Sequence, residues 1–253
     1  MPSIAQRAGT MPPSPIRKLA PFADEAKARG VRVYHLNIGQ PDVPTPPVLL
    51  DAYRHHQLEV LSYGPSGGLW EYRENLARYF RRVGVDVGPE QVLITTGGSE
   101  AILFALLAVA DGGDEVITPE PLYTNYNGFA VVAGVDVVPV TCRPEEGYRL
   151  PATEAIAARI TPRTRALLIS NPCNPTGHVF SWEELLRLRD LAVEHDLFLI
   201  SDEAYREFVY DGAESHSLLQ LVRSPGRMPG RSRSEGARSG LALRPSSPLS
   251  SDP

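Results

Sequence analysis

Lysine is almost missing from this sequence. The 253-residue chain carries 23 arginines but only Lys18 and Lys27, and no lysine at all from residue 28 onward. Any chemistry that needs a lysine amine has only these two N-terminal groups to draw on. The Arg-over-Lys bias is that of a GC-rich genome. Cysteine is equally scarce. Cys142 and Cys173 stand far apart in sequence, which argues against a disulfide framework. No paired Cys/His spacing points to a metal, and a reducing cytoplasm is expected. Long apolar runs are missing too. The longest, Ala101 to Ala110, falls well short of the roughly 20 residues that span a bilayer. The N-terminal MPSIAQRAGTMPPSPIRK has basic residues with no apolar run behind them, which argues against a secretory signal. A formal charge of -5 gives no basic footprint for nucleic acid. What remains is ordinary for a soluble globular protein: 42% apolar and 22% charged residues, in a chain long enough for one large or two modest domains.

The pattern along the chain alternates between two periods. Residues 1–30 are Pro-rich and then helical, with Pro15 opening a turn and Ile16, Leu19, Ala20 and Ala23 as a rough stripe. VRVYHL, residues 31–36, predicts a short strand, and a helix is expected from Pro47 to about His56. LWEYRENLARYFRR has helical spacing at Leu69, Tyr72, Leu76 and Phe80. QVLITTGG predicts a strand ending in two glycines, and SEAILFALLAVADGGD a largely buried helix. EVITP, VDVVPV, RALLIS and LFLI read as strands; YNGFAVVAGV, ATEAIAARI and WEELLRLRDLAVEHD read as helices between them. Ser181 is the expected N-cap of the last helix, with Glu184 at the capping-box position. Trp70 and Trp182 sit in helical patterns and read as packing residues, and the six scattered histidines as structural or solvated. Strands alternating with helices imply an α/β fold with a mostly parallel sheet covered on both faces. After about Val222 the period disappears. The last 30 residues hold 8 Ser, 5 Arg, 5 Pro and 4 Gly, a composition that buries too little to offset ordering entropy, so residues 222–253 are expected to be disordered.

In open α/β sheets, ligands bind at the carboxyl ends of strands. TTGGSE, PEPLYTNY, SNPCNPTG and SDEAY all fall there, so a shared pocket is expected. Gly97 and Gly98 let the backbone turn tightly, and the helix from Ser99 would aim free N–H groups and its positive end at an anion such as phosphate. Strand–Gly–Gly–helix is also a common structural turn. Two Asn-Pro pairs in five residues make a rigid loop that fixes Asn174, whose amide can donate to a phenolic oxygen, although Asn-Pro is also an ordinary turn. Asp202, emerging from a buried strand, needs a partner, which a protonated pyridine nitrogen could be; it could equally cap a local turn. Tyr205 could donate to the same ring's oxygen.

In this order and spacing, NIGQPD, YGPSGGLWEYRENLARYF, TTGGSEA, PEPLYTNY, NPCNPTG and SDEAY resemble the class I/II aminotransferases of fold-type I, aspartate-aminotransferase-like, from about residue 14 to about 221. The resemblance implies pyridoxal 5′-phosphate (PLP) as cofactor and ping-pong transfer of an amino group from an amino acid to a 2-oxo acid. It implies a homodimer, with no nucleic acid or membrane partner. It divides the chain into an arm with part of a small domain (1–45), an incomplete PLP-binding large domain (46–221) and the tail (222–253). Gly98, Ser99 and Glu100 would cradle the phosphate, Glu100 through its N–H. Tyr123 would stack on the ring, Asn174 and Tyr205 would hold its phenolic oxygen, and Asp202 would pair with its nitrogen. Tyr63 would reach the neighbouring subunit's phosphate, and the backbone of Gly39 would lie near the substrate carboxylate. Glu203 is expected to stand behind the site, without a catalytic role.

The resemblance also implies a Schiff-base lysine roughly thirty residues after SDEAY, and a substrate-binding arginine in a later small domain. That region here reads Arg231-Ser-Arg-Ser234, and arginine is a poor nucleophile that stays protonated. No catalytic residue is therefore assigned. The expectation is a frameshift or truncation near residue 222 and a chain that does not transaminate. Other readings are a non-catalytic PLP- or phosphate-binding remnant, a non-functional fragment, and a lyase or synthase of the same fold.

Overall fold

The computed structural model describes residues 2–14, 17–37, 39, 43–57, 59–60 and 62–223. Pro15 and Ile16, all of NIGQPD but Asn37 and Gly39, and the tail from residue 224 lie outside them, and with the tail the expectation of disorder there. The chain forms two compact units, one of residues 13–66 and one of residues 1–12 with 67 onward.

The smaller unit holds helices α2 (Ala20–Ala28) and α3 (Pro47–Arg54). Residues 31–36 do not form the expected strand, since no ladder takes up their backbone groups among the described residues.

The larger unit begins with α1 (Gln6–Thr10) and continues with α4 (Trp70–Arg82) and α5 (Gly98–Val109). The strand expected at QVLITTGG is likewise not formed. The N–H of Val92 turns back to Pro89, and that of Ile94 is taken by the Gly67 carbonyl at 3.1 Å. The α/β alternation then runs β1 (Glu115–Glu120), α6 (Asn125–Ala133), β2 (Asp136–Thr141), α7 (Thr153–Ala157), β3 (Thr164–Ser170), α8 (Trp182–Glu194), β4 (Phe198–Asp202) and α9 (Leu218–Arg223). The four strands are parallel, in the order β2-β1-β3-β4.

Period-two side chains split the core into two layers. Val116, Ala166, Leu168 and Ile200 face Ile102, Ala105 and Leu106 of α5 and Tyr126 of α6. Their neighbours Ile117, Leu167, Ile169 and Leu199 face α7, α8 and α9 through Ile156, Leu185, Leu188 and Leu218. Strand β3 is buried except at Arg165, as a central strand covered on both faces must be. Local signals set the helix ends. Ser181 caps α8, its hydroxyl accepting from the Glu184 N–H while Glu184 accepts from the Ser181 N–H. Gly134, in the left-handed region at φ 76°, closes α6.

Two expectations about packing are corrected. Helix α5 is not largely buried: Phe104 and Leu107 are exposed, and only Ile102, Ala105 and Leu106 are fully covered. Trp70 is not a packing residue. It is half exposed, donates to Glu74 at 2.9 Å and lies under the Arg73 guanidinium.

The strand order reverses direction between β1 and β3, because β1 leads outward to β2 while the chain returns past β1 to β3. Helices α6 and α8 cover opposite faces, so the loops after β1 and β3 diverge and leave a crevice at their carboxyl ends.

Candidate active site

Asp202 ends β4 at this rim. The Leu199–Ile200 stretch before it is buried, and the carboxylate itself is half-buried. Both of its oxygens are engaged. The Tyr126 hydroxyl donates to Oδ2 at 2.8 Å, and the Ala204 N–H donates to Oδ1 at 3.1 Å. Tyr126 is fully buried in the first turn of α6, and its ring meets the Tyr123 ring edge-on at 5.4 Å. Burial, with the Asp202 charge second, pushes the Tyr126 phenol far above its ordinary range, so it stays protonated and donates. The Tyr123 hydroxyl accepts from the Asn125 amide at 2.6 Å.

The loop after β3 is fixed by polar side chains that point inward. Asn171 is fully buried and makes three hydrogen bonds. Its N–H donates to the Asp202 carbonyl at 2.9 Å, Nδ2 donates to the His216 carbonyl at 3.0 Å, and Oδ1 accepts from the Phe180 N–H at 3.0 Å. Ser170 donates to the Pro172 carbonyl and accepts from the Asn174 N–H at 3.3 Å, which holds Asn174 beside the end of β3.

Helix α5 supplies the third wall. Gly97 enters it at φ 85°, a conformation that favours glycine. A Cβ placed on Gly97 or Gly98 would meet nothing within 4 Å, so the space beside this turn is open. The N–H groups of Gly98, Ser99 and Glu100 find no backbone acceptor among the described residues. Glu100 turns its carboxylate back onto the Thr96 N–H at 2.6 Å. These unsatisfied donors, at the positive end of the helix, are what an anion requires.

The structure thus gathers Asp202, Tyr123 and Asn174 at one sheet edge, and puts Gly98, Ser99 and Glu100 at the start of the helix that packs over the Ile200 face. Tyr205 is 44% exposed, with its ring edge on Phe208 at 5.9 Å. Gly39 and Tyr63 belong to the smaller unit, where both are exposed. Glu203 pairs with buried Arg206 at 2.8 Å and accepts from the Leu218 N–H at 3.3 Å, which anchors α9; burial pushes its carboxyl up against these opposing contacts.

Sequence reading missed two residues. Tyr126 stands in the first turn of α6, three residues after Tyr123, and a buried carboxylate in search of a donor was the signal that could have found it. Asn171 heads the first Asn-Pro pair, and its clamp depends on contacts with residues 9 and 45 positions away.

Among the described residues no group of three or more acidic, histidine or cysteine side chains could hold a metal ion, and no helix is long and apolar enough to cross a membrane.

Comparison with known proteins finds similar chains. The family model described as aminotransferase class I and II matches residues 31–227. Aspartate/prephenate aminotransferase of Thermus thermophilus is 39% identical over 230 residues, which cover 90% of this chain and 57% of that protein. Aromatic-amino-acid aminotransferase 2 of Thermococcus litoralis is 36% identical over 87% of this chain and 56% of its own length. The solved structure of a single mutant of Thermus thermophilus aspartate aminotransferase superimposes with a TM-score of 0.81 at 40% identity, covering 87% of this chain and 58% of that one. Thermotoga maritima aspartate aminotransferase gives 0.79 at 34% identity, over 86% and 58%. The chain spans a little over half the length of the relatives it matches.

Proposed function

The chain belongs to the class I and II aminotransferases, and on that premise we propose that residues 98–205 are the PLP-holding part of a site for amino-group transfer between an amino acid and a 2-oxo acid. The observation that carries this is Asp202, a carboxylate at the end of a buried parallel strand, in a sheet covered by a helix whose glycine-opened start has free N–H groups.

The donor set fits the group. A phosphate ester suits the open turn at Gly97–Gly98, with the N–H groups of Gly98, Ser99 and Glu100 and the Ser99 hydroxyl as donors. Asp202 would pair with the ring nitrogen, Tyr123 would lie on the ring, and Asn174 and Tyr205 would donate to the phenolic oxygen. Bound PLP supplies a cationic, electron-withdrawing ring and an aldehyde carbon that takes up an amino group. The chain's own part is to hold the phosphate, keep the ring nitrogen protonated through Asp202 and fix the ring plane. In this reading Gly39 lies by the substrate carboxylate and Tyr63 serves the neighbouring subunit of a homodimer. The apolar side chains exposed on α5, Phe104 and Leu107, support such a dimer. Functionally, residues 1–45 form an arm with part of a small domain, and residues 46–221 an incomplete large domain that carries the cofactor. The free thiols of Cys142 and Cys173 fit a cytoplasmic place, and amino-group transfer of this kind a role in amino-acid biosynthesis.

For a polypeptide of these 253 residues we propose cofactor binding without turnover. Its lysines are Lys18 and Lys27 alone, and neither follows SDEAY, where the family places the lysine that moves the proton at the substrate α-carbon. Incubated with PLP, aspartate and 2-oxoglutarate, the purified chain should exchange amino groups no faster than free PLP does. Exchange clearly above that background would overturn the inactive reading.

A further inference from the structure

Tyr126 has no part in the proposed cofactor contacts, yet it is among the most completely buried large side chains in the larger unit, and its hydroxyl, beside Ser170, donates to Asp202. A phenol at this depth needs a partner, but a backbone carbonyl would satisfy it as well as a carboxylate. Its choice of Asp202 has a consequence for the carboxylate. With Oδ2 tied to Tyr126 and Oδ1 tied to the Ala204 N–H, the group cannot rotate about its terminal bond without losing both contacts. Each oxygen keeps one further lone pair for an outside donor.

The tyrosine is itself held. Its ring packs with Ile200, Leu168 and Val116, and its edge meets Tyr123 at 5.4 Å. The backbone beneath Asp202 is pinned as well, because its carbonyl accepts from the N–H of fully buried Asn171. The carboxylate is therefore fixed from the α6 side, from its own turn and from the β3 loop.

Resting on the PLP reading above, we propose that Tyr126 is a positioning residue for the cofactor's ring nitrogen: its hydroxyl holds Asp202 in one orientation at the end of β4, so that a cationic heteroaromatic nitrogen meets a carboxylate that is already aligned. The hydroxyl acts through Asp202 and touches neither phosphate nor substrate. Burial and the carboxylate's charge keep the phenol protonated, so the hydrogen bond persists across the working pH range. Preorganisation of this kind strengthens binding by removing the cost of fixing the charged group at the moment of contact.

The test is a double-mutant cycle on the full chain with two probes. PLP carries the ring nitrogen; benzyl phosphate carries an aromatic ring and a phosphate ester but no nitrogen. Tyr126→Phe keeps the ring and its packing. It should weaken PLP binding about tenfold, leave benzyl phosphate within about twofold, and have no further effect in an Asp202→Asn background. Urea melts check that the variants fold. The inference is overturned if Tyr126→Phe binds PLP as the unmodified chain does, if it weakens both probes equally, if its effect adds in full to that of Asp202→Asn, or if it abolishes cooperative unfolding and so marks the hydroxyl as a fold element. Should the unmodified chain bind no PLP, the cofactor reading itself fails. Should it bind PLP in a way that depends on Asp202 but not on Tyr126, only the inference fails.

Discussion

Asp202→Asn should weaken PLP binding by about a hundredfold while leaving the fold intact. The size follows from the kind of contact being removed. A carboxylate that meets a protonated ring nitrogen in a half-buried cleft makes a charge-assisted hydrogen bond, and losing one partner of such a pair costs about 2–4 kcal/mol, because the other is left desolvated and unpaired. Each 1.4 kcal/mol is roughly tenfold in affinity. The fold should tolerate the change because asparagine can satisfy both local partners: its carbonyl oxygen accepts from the Ala204 N–H, and its amide donates to the Tyr126 oxygen. Binding isotherms and urea melts of the two chains side by side separate these effects. Equal affinity in the two proteins would remove Asp202 from the site. A melt shifted by several kcal/mol would make its role structural.

Glu184→Gln should destabilise the chain by about 3 kcal/mol at neutral pH, an effect that fades in acid. Glu184 is buried at the start of α8 and holds three segments together. Oε1 accepts from the Leu150 N–H at 2.8 Å, Oε2 accepts from the Ser181 N–H at 2.8 Å, and His178 Nε2 stands 3.5 Å away. Burial alone would push this carboxyl up. The His178 imidazole beside it and the hydrogen bonds from Ser181 and Leu150 outweigh it and hold the carboxyl down at about 2 against an ordinary 4.5. A folded value below the unfolded one means that the unfolded chain binds the extra proton in acid. The stabilisation is complete above about 4.5 and is lost as pH falls toward about 2, with a total on the order of 3 kcal/mol. Glutamine keeps the size but must turn one N–H toward a backbone N–H. The unfolding free energies of the two proteins should therefore differ at pH 7 and converge as the pH drops through that window. Parallel curves across the window would show that charge at residue 184 does not hold the α8 start.

These two residues also mark what the sequence made legible. The Glu184 capping box could be read directly, because Ser181 and Glu184 are three positions apart and the motif is local. The central strands and α6 to α8 were equally plain, since β3 is buried on both faces and its apolar run has no competing period. The strands expected at VRVYHL and QVLITTGG failed for a common reason. Apolar alternation states a preference, but a strand exists only where a neighbour takes its N–H groups, and Ile94 gives its own to the Gly67 loop instead. The α5 helix misled in another way. An apolar residue at nearly every position reads as burial, yet the α6 and sheet side covers only Ile102, Ala105 and Leu106. For the candidate site, each strand-end loop could be placed from glycines, prolines and Asn-Pro pairs. The links between loops could not. Tyr126 and Asp202 are 76 positions apart, and only the closing of α6 onto β4 brings them within 2.8 Å.

Whether this chain holds PLP through Asp202 and the start of α5 is decided by titrating the purified chain with PLP under equilibrium dialysis, beside Asp202→Asn, with borohydride added at the end of each titration. Uptake should saturate at one PLP per unmodified chain, with the isotherm shifted about a hundredfold to higher PLP in Asp202→Asn. Borohydride should fix no Asp202-dependent adduct, because the only lysines are Lys18 and Lys27. Uptake that never saturates, equal uptake in both proteins, or an adduct that disappears in Asp202→Asn would contradict it, and the cofactor site proposed for this fold would be wrong.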